Sequence, residues 1–309
     1  MTRAERSADR TAVPAMPDAM VGDVVAGQLV ALAPGVRRLT APNPGMMTGP
    51  GTNCYLVGTD TVTVIDPGPD DAGHIDALVA AGGGRIGTIA LTHTHIDHWP
   101  AAPTLAVRTG AEVVAFDSRD GLTVDRSLAD GDEVGEGDAR VRAVHTPGHA
   151  SNHICFWHEP TRMLFTGDHV MSGSTVVIAP PDGDMGAYLE ALRRVLALHA
   201  TALAPAHGPL LTDPDAYVGG YISHRLAREA SVVEALAAAG PVGADTEALV
   251  KAIYVDVHEL LHPVARFSVW AHLRKLAAEG RARGVDVDDP DTTWVTGDTR
   301  QQRLRGLSS

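Results

Sequence analysis

Along the first two thirds of the chain, short apolar runs alternate with polar or glycine-rich breaks, the pattern of strands buried on one or both faces. Gln28–Ala33, Val36–Leu39, Cys54–Val57, Thr61–Ile65, Ile86–Leu91 and Glu112–Ala115 predict strands in the first half of this region. Ala139–Val144, Ile154–Trp157, Met163–Thr166 and Ala202–Ala204 predict strands in the second. Between them, Ala72–Ala81, Ala101–Thr109 and Met185–His199 carry helical patterns, the first closed by the glycines at 82 to 84. Strands then helices, twice over, predict an α/β fold: a two-sheet core covered by helices.

From Asp213 the pattern turns helical. Asp213–Ala239 reads as a long helix broken at Gly219-Gly220, followed by helices over Thr246–Tyr254 and Pro263–Glu279. The last places Leu273, Leu276 and Ala277 on one face. Arg281–Val285 and Thr292–Val295 then predict a small hairpin, and three helices with a hairpin spell a winged-helix shape. The expected division is a flexible tail over 1–24, a main domain over 25–221, a small winged-helix-like domain over 222–296 and a disordered tail over 297–309.

Composition narrows the function classes. The chain has 309 residues, 38 acidic and 25 basic, for a formal net charge of −13. Such a balance disfavours general binding to polyanions and anionic membranes. Residues 222 to 309 hold 11 basic and 12 acidic side chains, so the excess negative charge lies upstream. Only two cysteines occur, Cys54 and Cys155, and no disulfide framework is implied. The first 25 residues lack an apolar signal core, and no run reaches the length of a membrane span. A cytoplasmic protein is expected. The chain alone leaves a homodimer open.

The chemistry concentrates after the strand that closes at Leu91, in Thr92-His93-Thr94-His95-Ile96-Asp97-His98-Trp99-Pro100. Alternation points His93 and His95 to one side, and the following turn brings Asp97 and His98 to a second point nearby. Imidazoles and a carboxylate so crowded make two adjacent metal half-sites, suited to Zn, Mn or Fe. His149, Asp168, His207 and, more remotely, Asp66 follow, each at a strand end or in its own loop. His145 and His153 are expected to brace the loop around His149, and His74, His158 and His199 to lie at the surface. His169 is a candidate substrate contact.

The order HTHIDH, PGH, GD, HG resembles the metallo-β-lactamase superfamily of αββα hydrolases over roughly residues 25 to 212. The resemblance implies that His93, His95 and His149 hold one metal ion and Asp97, His98 and His207 the other. It implies that Asp168 bridges both and that Asp66 supports the ligands from behind. Two divalent ions, zinc foremost, with manganese or iron as alternatives, would share a water and lower its pKa enough to supply a bridging hydroxide. Asp97 and Asp168 are then the catalytic carboxylates. Because the ions outweigh the two aspartates and a hydroxide, the site would attract an anionic or carbonyl substrate.

Outside the ligands, Asn43–Val57 (NPGMMTGPGTNCYLV), TGDHV followed by STVV, and Tyr221-Ile222-Ser223-His224-Arg225 resemble the β-lactamase-like protein 2 branch. So do Val250–Tyr254, Leu261-His262, His272–Leu276 and Glu279-Gly280. That branch carries a C-terminal winged helix. The resemblance implies a phosphodiesterase or endoribonuclease acting on single-stranded RNA. Relatives of similar layout imply a thioesterase, lactonase or other acyl-bond hydrolase instead.

Three departures bear on this choice. Trp99-Pro100-Ala101 replaces a frequent Ser-Gly-Gly and is expected to reshape a pocket wall. Only Lys251 and Lys275 are lysines, and Asp168 to His207 leaves no room for the clamp domain of dedicated RNA-processing relatives. Duplex DNA is a poor partner for so acidic a chain, although a non-catalytic DNA-binding sensor is the alternative outside enzymes. The appendage is expected to form one wall of the substrate groove, with His224 and Arg225 nearest the catalytic rim.

Overall fold

The computed structural model describes residues 20–21, 24–173, 175–255 and 257–297. The expected tail over 297–309 therefore falls, beyond residue 297, outside the described residues, as does most of the tail over 1–24. The first half of the chain forms β2 (Leu29–Ala33), β3 (Val36–Thr40), β4 (Asn53–Val57) and β5 (Val62–Ile65), after a two-residue strand β1 (Met20–Val21). It continues with α1 (Ala72–Gly82), β6 (Ile86–Ala90), α2 (Ala102–Thr109), β7 (Glu112–Ala115) and β8 (Arg126–Ser127). The second half supplies β9 (Glu133–Val134), β10 (Val141–His145), β11 (Ile154–His158) and β12 (Met163–Gly167). Then follow α3 (Met185–Leu196), β13 (Ala202–Pro205) and β14 (Leu210–Leu211).

Two seven-stranded sheets result, in the orders β2-β3-β4-β5-β6-β7-β8 and β1-β14-β13-β12-β11-β10-β9. Strands joined by tight turns pair antiparallel, as in β2 with β3 and β11 with β12. Where a helix intervenes the pairing is parallel: α1 carries β5 to β6, α2 carries β6 to β7 and α3 carries β12 to β13. A parallel neighbour needs a long connection, and β7 reaches β8 over residues 116–125 without a helix. β1 sits inside the stretch expected to be a loose tail, yet pairs with β14 at one sheet edge. β1, β8, β9 and β14 are each two residues long and carry no periodicity of their own.

Side-chain alternation builds the layers. On β4, Tyr55 and Val57 face the inter-sheet core while Cys54 and Leu56 pack under α1 and α2. On β11, Ile154 and Phe156 face the same inter-sheet core while Cys155 and Trp157 pack under α3. Both faces of these strands are covered, which is why they read as continuous apolar runs. The order of layers is αββα, as expected, with the ends of β5, β6, β12 and β13 opening on one rim.

The C-terminal part contains α4 (Pro214–Ala239), α5 (Thr246–Ile253), α6 (His262–Ala278), β15 (Ala282–Gly284) and β16 (Trp294–Thr296), the last two forming a hairpin. Val232, Leu249, Trp270, Leu273 and Trp294 form its own core. Contrary to expectation, α4 runs unbroken through Gly219-Gly220. Two helical glycines cost about 1 kcal/mol each relative to alanine. Tyr217, Val218 and Tyr221, all buried against the α3 side of the sandwich, hold the helix through them. No helix among the described residues is long and apolar enough to cross a membrane.

Two histidines expected at the surface are buried. His74 turns inward from α1, its Nε2 3.0 Å from the Pro67 carbonyl oxygen and 3.1 Å from Cys54 Sγ. His158 packs its Nδ1 against Thr161 Oγ1 at 2.7 Å. Sequence periodicity counts them as polar, while neighbouring acceptors inside the fold satisfy them. His199 is exposed as expected, and Cys54 and Cys155 are both free.

Candidate metal centre

The rim gathers seven residues from four segments. His93, His95, Asp97 and His98 leave the end of β6; His149 comes from the β10–β11 loop; Asp168 follows β12 and His207 follows β13. Two groups of donor atoms form, His93, His95, His149 and Asp168 in one and Asp97, His98 and His207 in the other, with the atoms of each group all within 4.8 Å of one another. Asp168 faces both: Oδ2 lies 3.6 Å from His149 Nε2, while Oδ1 lies 3.3 Å from His207 Nε2 and 3.7 Å from His98 Nε2.

Glycine makes this convergence feasible at two places. Gly167 has φ +49°, and a Cβ there would come within 2.6 Å of Thr92 Oγ1 and 2.7 Å of His153 Nε2. Gly148 has φ +136°, and a Cβ there would meet the Tyr188 backbone at 2.4 Å. The glycines of the GD and PGH motifs thus let ligand loops approach the strand ends and α3 more closely than any side chain allows.

Hydrogen bonds around the cluster fix the ring tautomers. Asp66, at the end of β5, accepts from Thr92 N–H at 2.8 Å, from the Thr92 hydroxyl at 2.7 Å and from His98 Nδ1–H at 2.9 Å. The Thr92 hydroxyl has therefore spent its proton, so His93 Nδ1, 3.0 Å away, donates to it. His149 Nδ1–H donates to the Val177 carbonyl at 2.7 Å, and His207 Nδ1 faces the Gly51 carbonyl at 3.4 Å. In the neutral forms of His93, His98 and His149 these bonds leave an Nε2 lone pair directed into the site, while His207 Nε2 lies 3.1 Å from Asp97 Oδ2.

That arrangement asks for cations. His93 Nε2 and His149 Nε2 approach His95 Nδ1 to 2.9 and 3.0 Å. Only His95 could bring a proton there, and one proton serves one neighbour. His98 Nε2 and Asp168 Oδ1 are buried without a hydrogen-bond partner. Separations of 2.9 to 3.7 Å match the edges of a tetrahedral shell, about 3.3 Å for metal–nitrogen bonds of about 2.0–2.1 Å. The donor set fits two divalent ions.

Electrostatics agree. Burial, and then His98 and the other imidazoles, push His93 well below the usual histidine range. Partial burial and then His149 bring His95 down to about 4. Burial alone would raise Asp97, but His98 and His207 outweigh it and bring it down to about 2. Asp168 is depressed further by the same neighbours against the opposing effect of burial. At His98 burial is outweighed by the carboxylates of Asp66, Asp97 and Asp168, which push the ring well above the usual histidine range. An ion held there would compete with protons for these ligands, so metal uptake would release protons.

Supporting residues emerge that sequence motifs did not single out. Thr92 couples Asp66 to His93. Asn53 Nδ2 donates to the Pro205 and Gly208 carbonyls at 2.9 and 2.7 Å, fixing the loop that presents His207. Its signal was one buried-type amide opening an apolar strand. His153 braces the cluster as expected: Nδ1 lies 2.9 Å from Thr146 Oγ1, and Nε2 accepts from Asp168 N–H at 3.2 Å. His145 lies 3.1 Å from the Ser151 carbonyl and stacks on Phe116.

Four residues expected at the pocket lie away from the cavity over the metal cluster. His169 is fully buried against Tyr188 and does not line the cavity. Trp99 donates to the Thr94 carbonyl at 3.0 Å, packs beside α1 and α2, and forms no wall of the cavity. Arg225 and His224 border a separate cavity. The Arg225 fork is occupied by the Val176 carbonyl and Ser268 Oγ, tying α4 to the loop before α3 and to α6. In each case the side chain points inward from its element, which chain order cannot specify.

The cavity over the metal cluster measures about 490 Å³. Besides the ligands, Met47, Thr48, Ile96, Val177, Ala179 and Asp182 line it. Ile96 and Met47 are 72% and 57% exposed, so the mouth has an apolar lip. No lysine or arginine is among its described lining residues.

Comparison with known proteins matches residues 47–207 to the metallo-beta-lactamase superfamily and residues 246–294 to the beta-lactamase associated winged helix domain. A beta-lactamase-like protein 2 homolog of Drosophila melanogaster is 31% identical over 280 residues, spanning 82% of this chain and 94% of that protein. An atrochrysone carboxyl ACP thioesterase of Aspergillus chevalieri is 35% identical over 209 residues, 66% of this chain and 67% of that one. Among solved structures, a beta-lactamase domain protein from Burkholderia ambifaria superposes with a TM-score of 0.74 at 21% identity, covering 89% of this chain and 95% of that one. A metallo-beta-lactamase family protein from Thermus thermophilus gives 0.70 at 20% identity, covering 86% and 100%. At these identities the solved structures speak to the fold alone.

Proposed function

The chain belongs to the metallo-β-lactamase superfamily, and from that premise we propose a dinuclear metal-dependent hydrolase that opens an acyl bond, a thioester foremost. His93, His95 and His149 would hold one ion, Asp97, His98 and His207 the other, with Asp168 shared. Such a pair, when bound, supplies Lewis acidity and a water acidic enough to attack at neutral pH. The protein's own part is to engage Nδ1 of His98, His93 and His149 through Asp66, Thr92 and the Val177 carbonyl, so that Nε2 of each turns toward the ions. Asp97, partly exposed at the cavity floor, can take the water proton and orient the nucleophile. Ile96, Met47 and Val177 can seat an apolar acyl group against the cluster while excluding bulk water.

The observation that carries the acyl assignment is the cavity lining: an apolar lip, three aspartates and no cationic side chain among the described residues. The neighbouring Arg119 is engaged by Asp117 at 2.9 Å and Asp182 at 3.4 Å. A nuclease needs cations along the phosphate backbone. The basic residues of α6 are likewise engaged by acids: Arg266 with Asp291, Arg274 with Asp288, and Lys275 with Glu229 and Glu279. That supports a winged helix which does not read duplex DNA.

Phosphodiester cleavage of single-stranded RNA is the second reading, favoured by the place of Asp168 between the two donor groups, since a metal pair held there would suit in-line displacement at phosphorus equally. The deciding experiment loads the protein with zinc or manganese, measures bound metal, and assays a thioester, a lactone and single-stranded RNA side by side. Two ions per chain and thioester turnover insensitive to salt are expected. RNA cleavage that falls steeply with salt, without acyl turnover, would replace the acyl assignment.

A further inference from the structure

A second cavity, of about 290 Å³, lies where the C-terminal helices meet the loop before α3. It shares Val177 with the metal cavity. The peptide strap between the two is held from both sides: Arg225 donates to the Val176 carbonyl, and the metal ligand His149 donates to the Val177 carbonyl. The chemistry of this cavity is the opposite of its neighbour's. His224, Arg225 and Arg228 line it with Tyr254, Val264 and other apolar groups, and no acid is among its described lining residues.

In a chain of net charge −13, two arginines facing one cavity with no acid among its described lining residues are a local excess of positive charge. Arg228 lies 4.6 Å over the Tyr254 ring, inside the cation–π range of about 6 Å. No carboxylate is among the described residues that line the cavity with it. Arg225 is buried, and its Nε has no hydrogen-bond acceptor. His224 Nδ1 is also buried without a partner. Burial first, then Arg225 and Arg228, bring His224 down to about 4, so the ring is neutral at physiological pH and available to donate a hydrogen bond. Unpaired donors and positive charge beside apolar walls are what a small organic anion requires.

We propose that this cavity binds an organic anion, a carboxylate or phosphate head on a short apolar body, with Arg228 as its principal charge partner. Resting on the acyl-hydrolase reading, the anion is the far end of the substrate's acyl group, which passes over Val177 while its carbonyl reaches the metal cluster. The winged-helix part then acts as half of a substrate pocket. A separate small molecule carrying the same head would satisfy the same groups, and the test separates the two sources.

The test uses the metal-loaded full chain with glutaryl and pentanoyl thioesters of N-acetylcysteamine, equal in chain length and different in terminal charge. Wild type should prefer the glutaryl ester. Arg228→Gln should lower kcat/KM for it by about tenfold or more and leave the pentanoyl ester unchanged. Val264→Asp, which puts a competing carboxylate at a half-exposed position of the cavity, should act likewise. Calorimetry with free glutarate should show binding that Arg228→Gln abolishes while the metal content stays at the wild-type value. Equal ester preference in all three proteins, with glutarate binding unaltered by Arg228→Gln or absent, overturns the proposal. Arg228-dependent glutarate binding without turnover of any thioester retains the anion site and refutes the acyl-hydrolase reading. The same binding with thioester turnover indifferent to charge retains the site and refutes its assignment to the substrate.

Discussion

Asp66→Asn isolates how the protein supports its metal ligands, because the change alters protons and leaves shape nearly intact. Asp66 Oδ2 accepts from both His98 Nδ1–H and the Thr92 hydroxyl. With the amide oxygen kept on Thr92 N–H, the asparagine NH2 replaces that acceptor and faces two donors. His98 must then carry its proton on Nε2, the atom proposed to meet the second metal ion. Changing a group behind a ligand costs about 10–100-fold in metal affinity, or about 1.4–2.8 kcal/mol. The Thr92 hydroxyl, left without its acceptor in a buried position, adds about 1–3 kcal/mol of lost stability. Competition with a chromophoric chelator should therefore show the second ion weakened by about 10–100-fold, with a smaller effect on the ion held by His93, His95 and His149. Urea unfolding of the metal-free proteins measures the stability term. Should Asp66→Asn bind two ions with wild-type affinity, the tautomer argument is wrong, whatever happens to stability.

Two further outcomes test other parts of the structure. Asp97→Ala removes a group 24% exposed at the cavity floor, so activity should fall on the order of 100-fold while the melting temperature of the metal-free protein changes by only about 1–2 °C; a matching collapse of stability would make Asp97 a structural residue. His272, buried in α6, is pushed down to about 3 by burial and then by Arg225 and Lys275. In the unfolded chain it titrates near about 6.5, so the unfolded state binds more protons and stability declines as pH falls from about 6.5 toward 3. Between about pH 7.5 and 5.5 the wild type should lose about 1.4 kcal/mol more than His272→Leu, measured by urea unfolding without metal; identical losses would place the acid sensitivity elsewhere.

The order of elements and the identity of the seven ligand-type residues were legible because both are local properties of the chain. Two-sided apolar runs such as Ile154–His158 declare strands buried on both faces, and His-x-His-x-Asp-His after a strand declares a metal site. Asp66 was legible only through resemblance, since nothing local links it to a threonine 26 positions later. The short strands β1, β8, β9 and β14 were not legible, because two residues carry no period and pairing is decided by the neighbouring strand. The same holds for direction. Whether His74, Trp99, His169 or Arg225 turns toward solvent, cavity or core depends on acceptors contributed by distant segments: the Pro67, Thr94 and Val176 carbonyls and the ring of Tyr188. What the sequence determined by itself was which groups the protein brings to the rim. The tertiary structure alone decided which nitrogen of His93, His98 and His149 turns toward the rim, and that His224, Arg225 and Arg228 meet at a cavity beside it. Both follow from contacts between residues far apart in the chain, where burial and hydrogen-bond partners, not spacing, set the energy.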